Sequence, residues 1–211
     1  MKIYCHNVRV WTRDRDKTSD WYWRKRMEEI RNLIIAQDPD ILCFQELSFP
    51  ADRYIPKGYR RVGLTASHPI YVRKGTKTRG HRFFVHFDAV EALIAGRWTT
   101  IINVHLHWNK TILALAMRQI NKRVNNSLSK GNEIIICGDF NNRSSVIYEY
   151  LPKEYFLCFS GLGPTFRNWK TGSEGYIDYF FSTFLHGVAS NLQFKRNGIP
   201  LSDHSPITYK I

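Results

Sequence analysis

The sequence predicts one layered domain of the α/β or α+β class, and three observations predict it. Short β-branched and aromatic runs bounded by Gly, Pro or Asp read as buried strands. Two longer segments carry apolar residues at helical spacing, and the two kinds of segment alternate along 211 residues. That length suffices for one sizeable core, and no linker-like stretch divides it, so residues 1–211 are expected to form a single domain.

Residues 2–10 alternate loosely and read as a first strand. A helix follows, capped by Ser19 or Asp20 and running to about Gln37, with Met27, Ile30, Leu33 and Ile34 on one face. Asp38-Pro39-Asp40 stops it. ILCF (41–44) is a strand that runs into Gln45 and Glu46, and residues 59–64 and 69–73 are short strands. Residues 82–95 and 98–107 read as a hairpin around Gly96. The second helix, about 111–129, places Ile112, Leu115, Ala116, Ile120, Val124 and Leu128 on one stripe. A strand at 133–138, a short helix near 144–151, and strands near 155–159, 176–182, 187–195 and 205–211 complete the chain.

Composition bounds the function. A hydrophobic share of 43% and an aromatic share of 14% exclude a disordered chain, and no segment approaches the roughly 18 apolar residues of a membrane span. With 31 Lys and Arg against 18 Asp and Glu, the formal net charge is +13, which predicts attraction to polyanions. The N-terminus lacks the apolar core of a signal peptide. Cys5, Cys43, Cys137 and Cys158 form no Cys-x-x-Cys pair, so they are expected as free thiols in a reducing, cytoplasmic compartment.

The chemistry shows in where the polar residues fall. Asn7 lies in the first strand, Glu46 ends the second, and Asn103, His105 and His107 share one face of the strand at 101–107. The run at 134–138 ends in Gly138 and then delivers Asp139 and Asn141; Asp178 interrupts an aromatic strand; Asp203-His204 precedes the last one. An ionised carboxylate inside an apolar run costs several kcal/mol unless it is paired or bound to a cation. One such residue is explained by a local partner or a turn. Five at strand ends predict convergence on one polar centre. Carboxylates with an Asn carbonyl suit a hard cation, Mg²⁺ with Mn²⁺ as substitute, and two histidines supply acid–base groups. The combination points to metal-assisted attack of water on a phosphate ester.

These residues resemble a known family. Asn7 in YCHNVR, Glu46 in ILCFQEL, His105 in INVHLH, GDFNN at 138–142, YIDYFF at 176–181 and SDHSP at 202–206 are similar, in order, to the endonuclease/exonuclease/phosphatase (DNase I-like) superfamily. The resemblance implies a four-layer α/β sandwich, with two facing mixed β-sheets flanked by helices. It also implies hydrolysis of phosphodiesters or phosphomonoesters with Mg²⁺ or a similar ion. It makes Glu46 the main metal ligand with Asn7 beside it, and Asp203 part of the metal set or just behind it. Asp139 would orient or deprotonate the water, Asn141 hold a phosphate oxygen, Asp178 orient His204 on the scissile phosphate, and His105 stand near the leaving group. His6 and His107 are expected as packing or surface residues, and Asn103 and Asn142 as structural ones.

Three departures narrow the resemblance. The region between Glu46 and His105 is short and holds no Glu before Glu91, so the family's second acid has no evident place. Arg9 stands where abasic-site endonucleases carry an acid, and YIDYFF lacks the Cys-Asp-Arg of inositol polyphosphate phosphatases. Basic loops then favour nucleic acid: Arg9, Arg13, Arg15 and Lys17 after the first strand, Arg143 after GDFNN, and Arg167, Trp169 and Lys170 before Asp178. The expectation is a monomeric, largely sequence-nonspecific endonuclease that nicks DNA in preference to RNA, without stable membrane association. It would leave 5′-phosphate and 3′-hydroxyl ends. A phosphatase or phosphodiesterase on RNA, a small phosphate ester or a lipid headgroup ranks second, and a binding protein without turnover third.

Overall fold

The computed structural model describes residues 1–10, 16–63, 65, 67–152 and 155–211. In chain order its elements are β1 (Lys2–Asn7), α1 (Trp23–Gln37), β2 (Ile41–Gln45), a 3₁₀ turn (Ala51–Tyr54), β3 (Tyr59–Arg61), β4 (Ile70–Arg73), β5 (Thr78–Phe83), β6 (Phe87–Ile94) and β7 (Arg97–His105). Then follow α2 (Lys110–Leu128), β8 (Glu133–Asp139), α3 (Ser144–Ile147), β9 (Leu157–Phe159), β10 (Phe166–Arg167), β11 (Glu174–Gly175) and β12 (Asp178–Ser182). Last come β13 (Val188–Asn191), β14 (Lys195–Arg196), β15 (Ile199–Pro200) and β16 (Ile207–Lys210).

Period-2 alternation decides the layers. Ile3, Cys5, Ile41 and Cys43 face Val90, Ala92, Ile101, Ile135, Cys137 and Phe180 in a core between two sheets. The intervening Tyr4, Leu42 and Phe44 point the other way and pack on Met27, Ile30 and Ile34 of α1. Ile102, Val104, Ile134 and Ile136 pack under Leu113, Ala116, Met117 and Ile120 of α2. The order α1, sheet, sheet, α2 is a four-layer α/β sandwich. Strands buried on both faces explain why ILCF and IIIC are unbroken apolar runs.

The first sheet runs β13-β16-β1-β2-β4-β3 and the second β5-β6-β7-β8-β12-β9. Each holds one parallel pair, β1 with β2 and β7 with β8, and its other neighbours are antiparallel. A parallel pair needs a crossover, which α1 and α2 supply. Both pairs therefore end at the same edge of the sandwich, and Asn7, Glu46, His105 and Asp139 follow from that edge.

Several details differ from the sequence reading. The helix α1 starts at Trp23 behind Tyr22, with no side-chain cap. Ser19 Oγ instead accepts from the Trp21 N–H within the preceding turn (3.1 Å). The buried face of α2 is Leu113, Ala116, Met117, Ile120, Arg123 and Val124; Ile112 is half-buried and Leu115 is 56% exposed. Arg123 joins that face because it meets Glu91 beneath the helix (2.9 Å). The expected strand at 82–95 is two strands, β5 and β6, which turn back on each other at residues 84–86. β5 (TRGHRF) is too basic and polar to be seen as a strand in the sequence.

Candidate active site

Seven of the expected residues meet at that common edge. Asn7 ends β1 and its amide bridges the two sheets, donating to Glu46 Oε1 (3.0 Å) and to Asp139 Oδ2 (2.9 Å). Its oxygen accepts the Arg9 N–H (3.1 Å), which fixes the amide with its NH2 toward the carboxylates. To offer that oxygen to a cation, the amide would turn over and give up the Arg9 contact. Glu46 follows β2 with φ 56°, a left-handed backbone that a non-Gly residue rarely adopts without compensation. Its N–H donates to Ser67 O (2.6 Å). Its Oε2 is buried and has no hydrogen-bond partner.

Asp139 is the hub. Gly138 takes φ 140° where β8 passes β7, and Asp139 then emerges fully buried. Its Oδ1 accepts the Asn141 N–H (2.8 Å), closing a turn with Asn141 at φ 49°. Its Oδ2 lies 3.7 Å from His105 Nε2 and 3.7 Å from His204 Nε2. His105 Nε2 is also 3.7 Å from Glu46 Oε1. The Asn141 side chain donates to Leu106 O (3.0 Å), leaving one amide hydrogen for other use.

On β12, Asp178 is the register partner of Asp139, and its carboxylate accepts from His204 Nδ1 (3.0 and 3.2 Å). Burial alone would push the His204 proton off, but Asp178, Asp139 and Asp203 outweigh it and raise its pKa to about 10. Burial raises Asp178 to about 6 against the pull of the His204 cation, so both groups carry their charges at neutral pH. Asp139, Asp178 and His204 lie within 4.8 Å of one another. The trio brings together groups that could hold a cation or pass a proton. Asp203 is engaged elsewhere, by Arg9 Nη1 (2.5 Å) and Ser202 Oγ (3.2 Å).

The basic residues divide. Arg9, Lys170 and Trp169 line a cleft of about 430 Å³ with Trp21, Phe166, Asn168 and Asp203, and Phe166 sits against the His204 ring (5.2 Å). Arg167 is not among the lining residues; it lies over the Trp169 ring (5.4 Å) and is bound to Glu174 through Nε (2.7 Å). Arg143 is exposed beside the Asp139 turn. Arg13 and Arg15 lie outside the described residues. Among the described residues no acid of the region 47–104 joins the centre: Asp52 lies in the 3₁₀ turn, Asp88 pairs across from Asn103, and Glu91 is held under α2 by Arg79, Arg123 and Lys130.

Of the residues that support the cluster, Thr165 and Arg26 were not singled out in the sequence, whereas Asn103 was expected as structural and His6 and His107 as packing or surface residues. Thr165 Oγ1 accepts the N–H groups of both Ile177 and Asp178 (3.0 Å each). Asn103 donates to Phe44 O (2.8 Å) and His68 O (2.9 Å) and accepts from Gln45 Nε2 (2.5 Å), tying the sheets together beside Glu46. Buried Arg26 donates to Val8 O, Arg9 O and Leu201 O, joining the segments after Asn7 and before Asp203. His6, lowered to about 3 by burial, stays neutral and touches His204 O (3.2 Å). His107 stays outside the cluster, its Nδ1 accepting the Asn109 N–H (2.9 Å).

A family model described as Endonuclease/Exonuclease/phosphatase family matches residues 10–204. The chain belongs to that family. A search of curated proteins gives no match. Among solved structures, the chain is similar to truncated TDP2 from Caenorhabditis elegans, with a TM-score of 0.78 and 17% identity over 99% of this chain and 96% of that one. It is similar to a conserved protein of unknown function from Enterococcus faecalis V583, with a TM-score of 0.79 and 19% identity over 100% and 98%. A mannosyl-6-phosphatase from Bacteroides thetaiotaomicron VPI-5482 gives a TM-score of 0.75 and 16% identity over 100% and 98%. At these identities the structural likeness speaks for the fold. Endonuclease/exonuclease/phosphatase family members are hydrolases of phosphate esters, and the strand-end cluster is where this chain gathers groups for such chemistry.

The residues present fit a hard divalent cation. Glu46 Oε2 is a buried, unpartnered carboxylate oxygen; the Asn7 amide links Glu46 to the Asp139 carboxylate, His105 Nε2 stands beside Oε1, and no thiol takes part. Cys5, Cys43 and Cys137 are buried and free, and Cys158 is half-buried and free.

Proposed function

We propose that this chain is a Mg²⁺-dependent phosphodiesterase that nicks DNA with little sequence preference. The observation that carries the reading is the orphaned Glu46 oxygen, held beside Asp139 by the Asn7 amide, next to a His204 kept protonated by Asp178. Glu46 would hold the cation, with the Asn7 oxygen once its amide turns over and with Asp203 behind the site through Arg9; the cation would neutralise charge on the phosphate. Asp139 accepts the proton of the attacking water. His204, charged and fixed at Nδ1, presents Nε2 to a phosphate oxygen whose charge grows in the transition state. Asn141 adds a donor to another phosphate oxygen, and His105 serves the leaving-group side. Attack is in line, with no covalent intermediate on the protein. A cleft beside His204 that carries Lys170 and the rings of Trp169 and Trp21 supports a polynucleotide substrate over a small neutral one.

The test is nicking of supercoiled plasmid in Mg²⁺ and in EDTA, for wild type and His204→Ala. Metal-dependent nicking that disappears in the variant is expected. A folded wild type that leaves the plasmid intact refutes the DNA reading. A second reading, a phosphatase on a small phosphate ester, is favoured by the likeness to the mannosyl-6-phosphatase fold. Release of inorganic phosphate from sugar phosphates, with no nicking, would establish it.

A further inference from the structure

A second cleft, of about 300 Å³, lies on the outer flank of α1 and is lined by Trp23, Arg24, Arg31, Pro50, Arg53 and Tyr54. Three of its six lining residues are arginines, all exposed, and none is acidic. Among the described residues none of the three forms an ion pair, whereas Arg9, Arg79 and Arg123 elsewhere are neutralised. Unpaired arginines held close together repel one another, and that arrangement is relieved by an anion. The cleft also has an aromatic wall. Trp23 meets Tyr54 edge-on (5.9 Å), and the Arg24 guanidinium lies over the Trp23 ring (5.2 Å).

The two clefts are lined by neighbouring residues at the start of α1, Trp21 in one and Trp23 in the other. Tyr22 touches Trp23 (6.2 Å), and Trp21 touches Trp169 (5.6 Å), so the N-terminal end of α1 presents one aromatic face to each cleft. We propose that the α1 cleft is a second phosphate-binding site, which holds a single-stranded polynucleotide several nucleotides away from the scissile bond. The inference rests on the nucleic-acid reading above and adds the strandedness of the substrate. Arginine forks grip phosphate oxygens, and ring faces stack on bases irrespective of sequence, the pairing that single-strand sites use. A duplex is too stiff to follow two clefts around a helix end, whereas a single strand bends between them. A lipid surface is met by protruding side chains, and these arginines line a concavity.

The experiment compares wild type with the triple variant Arg24→Glu, Arg31→Glu, Arg53→Glu, all at exposed positions. Fluorescence anisotropy in EDTA reads binding of a labelled single strand of about 20 nucleotides and of the matching duplex, over a range of salt. The expected result is at least a tenfold loss of single-strand affinity in the variant. The log–log salt slope should flatten by about 2, from three lost contacts at about 0.7 each. Hydrolysis of bis(p-nitrophenyl) phosphate, too short to span both clefts, should stay at the wild-type rate. Single-strand affinity within twofold of wild type overturns the inference while leaving the nuclease reading standing. Equal losses on strand and duplex overturn the single-strand assignment, and loss of binding to phosphatidylserine vesicles alone replaces it with a membrane surface. A wild type without affinity for either oligonucleotide removes the nucleic-acid reading and this inference together.

Discussion

Replacing Gly138 by alanine tests how the fold delivers Asp139. A Cβ at Gly138 would stand 2.0 Å from Val104 O and 2.9 Å from Val104 N and C, where ordinary contact begins near 3.4 Å. The obstacle is backbone of the neighbouring strand, so no rotamer change relieves it, and β8 must move off β7 by more than 1 Å. Overpacking of this kind costs about 1–3 kcal/mol, and a non-Gly residue at φ 140° adds about 1–3 kcal/mol. Together they predict a loss of about 2–6 kcal/mol, a large share of a typical domain's stability. The pair displaced with Gly138 and Val104 is Asp139 and His105, the next in register. A misplacement of about 1 Å lowers turnover roughly 100-fold. Urea unfolding and steady-state kinetics on bis(p-nitrophenyl) phosphate measure both effects. Gly58→Ala serves as control, because its Cβ meets nothing within 4 Å and is expected within about 0.5 kcal/mol of wild type. A Gly138→Ala protein as stable and as active as that control would refute the reasoning.

Other perturbations separate support from chemistry. Asp88 is buried, accepts from Thr65 Oγ1 (2.8 Å), and is raised from 3.8 to about 6, mainly by burial. Its folded pKa exceeds its unfolded one, so wild-type stability should fall as pH rises from about 4 to about 6. Asp88→Asn should be more stable by about 1–3 kcal/mol at pH 7.5 and equal at pH 3.5; parallel wild-type and variant pH profiles would contradict this. Glu91 faces Arg79, Arg123 and Lys130 within 3.1 Å, so Glu91→Gln should cost about 2–4 kcal/mol by thermal unfolding, and an unchanged melting temperature would sink the assignment. Thr165→Val strips two N–H groups of their acceptor and should lower kcat at unchanged KM, with Thr165→Ser restoring it. Equal turnover in the two variants would show that Thr165 does not position Asp178.

The strands and the two crossover helices were legible because burial on both faces writes long apolar runs, and a helix with one buried stripe writes a 3.6 period. The cluster was legible for the same reason: Glu46, Asp139 and Asp178 are charges that interrupt such runs, and parallel pairing brings the strand ends together. What was not legible acts at a distance in the chain. Arg26 and Arg123 look like surface residues of a helix until their carbonyl and carboxylate partners are in place. Thr165 supports Asp178 from 13 residues away. Arg167 was expected at a substrate and is spent on Glu174, a pairing that no local spacing announces.

The three thiols of the inter-sheet core give that seam a clock. Cys5, Cys43 and Cys137 are shut between the sheets, whereas Cys158 is half-exposed on β9; burial raises all four thiols, Cys158 to about 12, so access rather than ionisation sets them apart. A thiol reagent therefore titrates one sulfur first, and the other three react only when the sandwich parts. The Asn7 amide spans the same seam, so each parting also pulls Glu46 away from Asp139. Labelling of the slow thiols thus counts, molecule by molecule, how often the two sheets come apart.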